Sequence, residues 1–373
     1  MRILILTPRV PWPPTDGGRV AMARLAESLA HAGAEVEVLS LNPRKHHVDF
    51  AGAIDIDTSR IVRPLLRREP FVVARFVSRE FAEALVEMQR RFAPDVVQIE
   101  SPFMLPYARL CQRPVVLRSH NVEFRIWDLL ARHERNPLRR FALRRVAASL
   151  RAYEVKNLNT PDAIVPISDA DADDFRSLGC TRPIHVAPCG VTLPALRDIA
   201  PEPNTVGFIG SLDFRPNQEA VRWIVDELWP RVLERMPSAR LSIAGSAAPE
   251  WIRRLPAYAG RVDDANDFLQ RMSVVIAPLF AGGGMRIKVL EAMSVGRPVV
   301  ATPLGAGGVD VDDLVLAEEP IAFAEAIVRL LRDRESAERM GAAARASVAE
   351  RYDSDRIGRE LLSFYARFAR GSR

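Results

Sequence analysis

Short apolar segments alternate with longer amphipathic segments along nearly the whole chain. Between the apolar segments, nonpolar residues recur at helical spacing, as Leu25 and Leu29 do within residues 18–32. This alternation predicts parallel strands covered by helices on both faces, which is an α/β fold. The predicted strands are residues 2–6, 36–41, 95–99, 114–118 and 163–167 in the first half, and 205–209, 241–244, 274–277 and 298–301 in the second.

A proline-containing segment interrupts the pattern near the middle of the chain. Residues 193–204 include Pro194, Pro201 and Pro203 and have no apolar periodicity, which is typical of a linker. We therefore predict two Rossmann-like domains, at residues 1–197 and 198–352. Residues 353–373 form a predicted amphipathic helix, which we expect to pack back toward the first domain.

The composition narrows the class of protein. The 373 residues are 48% hydrophobic and 27% charged, which is typical of a folded protein rather than a disordered one. No apolar stretch is long enough to span a bilayer, and the apolar run at residues 3–6 is too short for a signal peptide. Three irregularly spaced cysteines (Cys111, Cys180 and Cys189) do not form a disulfide framework or a zinc motif. We expect a cytoplasmic protein.

Positive charge is concentrated in residues 123–156. This segment holds nine basic and four acidic residues, so it carries the whole net charge of +5. Leu138 and Phe141 belong to an apolar stripe beside Arg140 and Arg144. Such a helix can rest on an anionic membrane or receive an anionic lipid-linked acceptor. The alternative is a solvated helix docked on the sheet, and the sequence leaves both open.

The strongest chemical signal is a glycine-rich segment between a predicted strand and a predicted helix. Free backbone N–H groups of Gly282, Gly283 and Gly284 can surround an anion at the start of the helix. Arg286 and Lys288 lie in its first turn, where positive charge opposes the helix dipole unless an anion is bound. Lys288 is also one of only three lysines. The pattern predicts a phosphate site, with the carboxylate of Glu291 placed to bind a ribose.

Residues 291–300 read Glu-Ala-Met-Ser-Val-Gly-Arg-Pro-Val-Val and resemble the donor-binding region of the family-four retaining glycosyltransferases. The resemblance implies the GT-B fold, with two facing Rossmann-like domains and an interdomain cleft. The first glutamate of the family's pattern falls on Gly283. Residues 282–288 are similar to a branch with a Gly-Gly-Gly-x-Arg-x-Lys donor loop, which acts on exopolysaccharides or lipid-linked glycans. A metal-independent glycosyltransferase is thereby implied, with a nucleotide-diphosphate sugar as co-substrate, no cofactor, and a glycan, lipid-linked or small-molecule acceptor.

The same resemblance assigns roles to individual residues. His120 matches the active-site histidine, and Arg215 matches one of the two cations that stabilise the leaving diphosphate. Relatives carry a lysine near Arg215 where this chain has Asn217, so we expect Lys288 or Arg286 to supply the missing charge. The donor-binding residues implied are Gly210, Gly282, Gly283, Gly284, Met285, Arg286, Ile287, Glu291 and Val262. The implied acceptor or diphosphate loop comprises Gly17, Gly18 and Arg19.

Two alternatives remain at this stage. A sugar-nucleotide epimerase of the same fold would consume a nucleotide sugar without an acceptor. A non-catalytic, nucleotide-binding partner subunit is suggested by Gly283. A dinucleotide dehydrogenase is disfavoured because no Gly-x-Gly-x-x-Gly turn follows the first strand. The basic segment lacks a recognition module for nucleic acid, which we do not expect as a partner.

Overall fold

The computed structural model describes residues 1–14, 17–43, 52–55, 70–196, 199–281 and 285–369. The chain divides into two compact units. Unit 1 comprises residues 1–190 together with 355–373, and unit 2 comprises residues 191–354. The second unit begins at residue 191 because Val191 already forms a β-bridge with Asp353.

Unit 1 contains a parallel sheet of six strands in the part of the chain that the structure describes, in the order β3-β2-β1-β4-β5-β6. The strands are β1 (Arg2–Thr7), β2 (Glu35–Asn42), β3 (Ala53–Asp55), β4 (Val96–Ile99), β5 (Val115–Ser119) and β6 (Ala163–Pro166). Its helices are α1 (Gly17–His31), α2 (Phe71–Ala74), α3 (Arg79–Phe92), α4 (Glu123–His133), α5 (Pro137–Asn157) and α6 (Asp169–Ser177), with a 3₁₀ segment at Pro102–Leu110.

Unit 2 repeats this architecture, with the described strands in the order β12-β11-β10-β7-β8-β9. They are β7 (Thr205–Ile209), β8 (Arg240–Ala244), β9 (Tyr258–Gly260), β10 (Val274–Ala277), β11 (Val299–Ala301) and β12 (Val315–Leu316). The helices are α7 (Arg215–Trp223), α8 (Trp229–Arg235), α9 (Glu250–Arg253), α10 (Ala265–Arg271), α11 (Ile287–Ser294), α12 (Pro320–Arg332) and α13 (Arg334–Arg351), with a π-helical turn at Ile224–Leu228.

The last helix, α14 (Ser354–Ala369), returns the chain to unit 1. Its apolar face joins the core formed by the inner residues of β1 and helix α1. The buried contributions from α14 are Ile357, Leu361, Phe364 and Tyr365.

Both sheets have the strand order of a doubly wound α/β fold, which confirms the predicted fold class. The order reverses between β1 and β4 in unit 1 and between β7 and β10 in unit 2. Ligands of such sheets bind beyond the carboxyl ends of the strands at this switch point. Ligand-binding and catalytic residues are therefore expected directly after β1, β4, β7 and β10.

Candidate functional site

Lys288 and Asn217 meet at the switch point of unit 2. Lys288 lies in the first turn of α11, and its Nζ donates to Oδ1 of Asn217 at 2.8 Å. The amide of Asn217 is fixed from its other side, because Nδ2 donates to the carbonyl oxygen of Ser211 at 2.8 Å. The ammonium also lies 4.8 Å from the ring centroid of Phe208 in β7. The Lys288 ammonium is thus held near the end of β7 by Asn217 of α7 and Phe208 of β7.

The environment of Lys288 disfavours its charge. Burial lowers the pKa of Lys288 to about 7, and the neighbouring charge of Arg286 acts in the same direction, while Glu291 opposes both. An anion placed here would therefore relieve a destabilised charge. This electrostatic environment is the one expected of a site that binds phosphate.

Gly210 leaves room for this arrangement. A Cβ atom at residue 210 would lie 2.8 Å from Nδ2 of Asn217, so any side chain there would displace the Asn217 amide. Gly210 directly follows β7, so the missing side chain lets the Asn217 amide approach the carboxyl end of the strand. Packing against Asn217 therefore favours glycine at this predicted donor-binding position.

The other predicted donor residues lie around the same helix. Arg286 caps the N-terminus of α11, and its Nε donates to the carbonyl oxygen of Leu304 at 3.0 Å, so the side chain fixes a neighbouring loop. Met285, Ile287 and Val262 are partly buried against one apolar core of unit 2. Glu291 lies on α11, three residues after Lys288, near enough to influence its charge.

Arg215, the first residue of α7, forms an ion pair on the surface of its own helix. Its side chain is 88% exposed, and its Nε pairs with Oε1 of Glu219 one helical turn away at 2.8 Å. Gly282, Gly283 and Gly284 lie outside the described residues. Of the two cations predicted to stabilise a leaving diphosphate, Lys288 is fixed by Asn217 and Phe208, whereas Arg215 is exposed and paired with Glu219.

His120 directly follows β5 in unit 1 and is only 19% exposed at its side chain. Its Nε2 lies 2.5 Å from Oε2 of Glu100, which directly follows the neighbouring strand β4. Glu100 is thus at the switch point of the first sheet. The backbone after it is strained, because Ser101 has a φ of 154°.

Glu100 was not singled out by the sequence, and neither were the groups that hold it. Its Oε1 accepts from the side-chain amide of Gln98 and lies 3.8 Å from Nε of Arg118. The hydroxyl of Tyr365, on α14, donates to Oε1 of Gln98 at 2.6 Å. All four side chains are essentially buried. One feature of the sequence could have indicated this buried polar cluster: Gln98 and Arg118 lie within apolar strands, where a buried polar side chain needs a hydrogen-bond partner.

The predicted acceptor or diphosphate loop forms the start of α1. Gly17, Gly18 and Arg19 occupy its first turn. A Cβ atom at Gly17 would meet no other atom within 4 Å, so no packing contact in the described structure requires glycine there.

No group of three or more histidine, cysteine, aspartate or glutamate side chains suited to a metal ion occurs among the described residues. Asp310 and Asp313, in the Asp-Val-Asp-Asp segment at residues 310–313, both contact side chains of α13. Asp310 pairs with Arg351 at 2.8 Å, and Asp313 accepts from the hydroxyl of Ser347 at 2.6 Å. Nor does any helix in the described part of the chain have the length and apolarity needed to cross a membrane.

Two family models match the chain in succession. Residues 15–193 match the model described as Glycosyltransferase Family 4, and residues 203–333 match the model described as Glycosyl transferases group 1.

Sequence relatives extend these matches. An uncharacterized 44.6 kDa protein in the cps region of Klebsiella pneumoniae is 23% identical over 95% of this chain and 97% of its own length. The phosphatidyl-myo-inositol mannosyltransferase of Mycobacterium leprae is 31% identical over 43% of this chain. The match spans 46% of the mannosyltransferase, or about half its length.

Solved structures with low sequence identity share the fold. Sucrose-phosphate synthase from Thermosynechococcus elongatus superposes with a TM-score of 0.69 and 16% identity, over the full length of both chains. Anabaena Alr3699/HepE in complex with UDP gives a TM-score of 0.64 and 16% identity, over 98% of this chain and 100% of its own.

Proposed function

Because the chain is a glycosyltransferase with the GT-B fold, we propose that it transfers a sugar from a nucleoside-diphosphate donor with retention of the anomeric configuration and without a metal ion. Unit 2 holds the nucleotide and unit 1 receives the acceptor. The observation that carries this proposal is Lys288, a cation held at the switch point of unit 2 in an environment that disfavours its charge.

Departure of the nucleoside diphosphate is the difficult step in this reaction. A fixed cation lowers the barrier when it lies where negative charge develops, because its position is set before the reaction begins. Asn217 and Phe208 fix Lys288 in this way. Backbone N–H groups of the glycine-rich segment and the N-terminus of α11 supply further stabilisation, and Arg215 joins them at the outer side of the diphosphate.

Glu291 binds the ribose of the nucleotide in this proposal, and His120 contacts the donor sugar. The leaving diphosphate itself helps to remove the acceptor's proton, so no separate carboxylate base is needed. Because Gly17 and Gly18 have no side chains, the backbone at the start of α1 can approach the ligand closely.

We propose a growing glycan, free or lipid-linked, as the acceptor. The Klebsiella pneumoniae relative is a protein of a cps region, and the Mycobacterium leprae relative is named as a phosphatidyl-myo-inositol mannosyltransferase. Both names favour polysaccharide or glycolipid assembly over a small soluble acceptor.

Helices α4 and α5 support a peripheral contact with an anionic membrane. Leu138 is 79% exposed and Phe141 is 65% exposed, and they stand beside a series of arginines on α5. Exposed apolar side chains flanked by basic ones suit the boundary of an anionic bilayer. Cosedimentation with vesicles of phosphatidylglycerol and phosphatidylcholine tests this. Binding should weaken at high salt and in Leu138→Ser/Phe141→Ser, while phosphatidylcholine alone should bind nothing.

The donor is tested first by thermal unfolding with UDP, GDP, ADP and dTDP, each in EDTA. A ligand at 100 times its dissociation constant adds about 2.7 kcal/mol to the free energy of unfolding. The sugar nucleotide of the stabilising base is then incubated with glycan and lipid-linked acceptors, and NMR of the product gives its anomeric configuration. An inverted product, or a requirement for a divalent metal, would contradict the proposal.

The same assay separates the two alternatives. An epimerase would interconvert the donor's sugar in the absence of acceptor. A non-catalytic subunit would be stabilised by a nucleoside diphosphate but would never turn over, and Gly283→Glu would then show whether the missing carboxylate accounts for it.

A further inference from the structure

A buried chain of polar side chains joins the C-terminal helix to His120. It runs from Tyr365 through Gln98 to Glu100 and ends at the imidazole. Each member of the chain except His120 is shielded from water, and all of them belong to unit 1. A polar network of this kind within an apolar core is costly unless every group is satisfied, so its arrangement is specific.

The donor and acceptor roles in this network follow from the Glu100 carboxylate. An ionised carboxylate only accepts hydrogen bonds, and the permanently charged guanidinium of Arg118 faces Oε1. Gln98 must therefore turn its NH₂ group to Glu100, which leaves its carbonyl oxygen to accept from the Tyr365 hydroxyl. For the same reason the hydrogen of the His120 ring lies on Nε2, facing Oε2 of Glu100.

We propose that Glu100 is the positioning residue of His120, fixing the Nε2–H tautomer and the ring orientation, and that Gln98 and Tyr365 hold Glu100 for this task. In this tautomer Nδ1 carries the free lone pair and accepts a hydrogen bond from a ligand hydroxyl. The C-terminal helix is thus part of the catalytic apparatus through one hydroxyl group. The consequence for turnover rests on the proposed function, in which His120 contacts the donor sugar.

The test that needs no substrate is NMR of the unliganded protein labelled with ¹⁵N at histidine. Long-range ¹H–¹⁵N correlations distinguish the two neutral tautomers, and His120→Asn identifies the His120 signals. We expect the neutral ring of the wild type to be a single Nε2–H form. Glu100→Gln, which can present either an oxygen or an NH₂ group, should give a mixture or the Nδ1–H form. An unchanged tautomer would overturn the proposal.

Turnover is measured with the sugar nucleotide that the donor screen selects. We expect kcat to fall about 10- to 100-fold in Glu100→Gln, by analogy with metal-binding histidines that lose the partner orienting their ring, with a smaller fall in Tyr365→Phe. KM for the donor should change less than kcat. Two matched controls lie in the same unit: Tyr153→Phe, a buried tyrosine that donates to the carbonyl of Pro102, and Glu154→Gln, a buried glutamate on α5.

These results separate the two proposals. Suppose that Glu100→Gln changes the His120 tautomer as expected but the wild type shows no transferase activity. That result would support the positioning role of Glu100 and contradict the proposed function. If the wild type is an active transferase and Glu100→Gln and Tyr365→Phe are as active as their control variants, the proposed function is supported and the positioning role is contradicted. Should Glu100→Gln fail to fold, because Arg118 is left buried without its counter-ion, Tyr365→Phe supplies both readouts.

Discussion

Nζ of Lys288 lies 2.8 Å from Oδ1 of Asn217, although the two residues are 71 positions apart in the sequence. The ammonium therefore reaches the side chain at residue 217, where the resemblance to other glycosyltransferases led us to expect a lysine. This geometry supports the expectation that Lys288 supplies the positive charge that residue 217 does not.

Removing this charge should affect turnover more than removing Arg215. We expect Lys288→Ala to lower kcat by about 100-fold or more, the effect of deleting one group that stabilises transition-state charge. Arg215→Ala should have less than a tenfold effect, because Arg215 is exposed and already paired with Glu219. Steady-state kinetics with the selected donor checks both. An unchanged rate in Lys288→Ala with a severe loss in Arg215→Ala would contradict the assignment.

Binding of a nucleoside diphosphate should take up a proton. With a pKa of about 7, the free Lys288 side chain is mostly neutral at pH 8.5. A diphosphate favours the ammonium form, so binding raises this pKa and the affinity falls as the pH rises above about 7. The terminal phosphate, with a second pKa of about 6, is fully ionised at pH 8.5 and contributes no proton.

Calorimetry in two buffers of different ionisation enthalpy measures this uptake directly. Lys288→Arg is the matched control, since arginine remains charged at every pH of interest. The variant should bind the same nucleoside diphosphate with no proton uptake. Equal uptake in the variant and the wild type would assign the titration to another group.

Much of the fold could be predicted because the central strands of a parallel sheet are buried on both faces. Strands such as β1 and β10 therefore stand out as continuous apolar runs. The short edge strands β3, β9 and β12 have at most three residues each and give no such signal. They are ordered by pairing with their neighbours, which is information the local sequence does not contain.

The candidate site was accessible from sequence only where a single segment carried the signal. Lys288 stood out because lysine is rare in this chain and because glycines precede it. Its contact with Asn217 depends on how β7 and β10 lie side by side. The pairing of Glu100 with His120 likewise depends on two strands being neighbours, and Tyr365 comes from a helix at the far end of the chain.

Two glutamates should make the stability of unit 1 depend on pH. Glu154 accepts hydrogen bonds from the backbone N–H groups of Glu123 and Phe124, at the start of α4. Burial raises the pKa of Glu123 to about 8, aided by the charge of Glu154, and burial raises the pKa of Glu154 to about 7. Between about pH 4.5 and these values the native carboxyls are protonated while the unfolded ones are ionised, so the free energy of unfolding falls as the pH rises.

Glu123→Gln should flatten this decline. One pKa unit corresponds to about 1.4 kcal/mol, and Glu123 is only partly buried, so we expect the change between pH 5 and pH 8 to shrink by about 1–2 kcal/mol. Urea denaturation at several pH values measures it. Glu83→Gln, on the exposed face of α3, should keep the wild-type slope. A slope that Glu123→Gln leaves intact would refute the assignment.

Gly17→Ala should show whether residue 17 affects ligand binding independently of protein stability. Nothing lies within 4 Å of a Cβ atom at Gly17 and its φ is not positive, so alanine fits without strain and raises stability by up to about 1 kcal/mol. If the start of α1 approaches a ligand closely, the added methyl group displaces that ligand, and KM rises or kcat falls. Gly33→Ala is the opposite control: its φ of +93° makes alanine destabilising, while turnover per folded molecule stays constant. Wild-type kinetics in Gly17→Ala would exclude the first turn of α1 from the binding site, because no loss of folding could then mask an effect on the ligand.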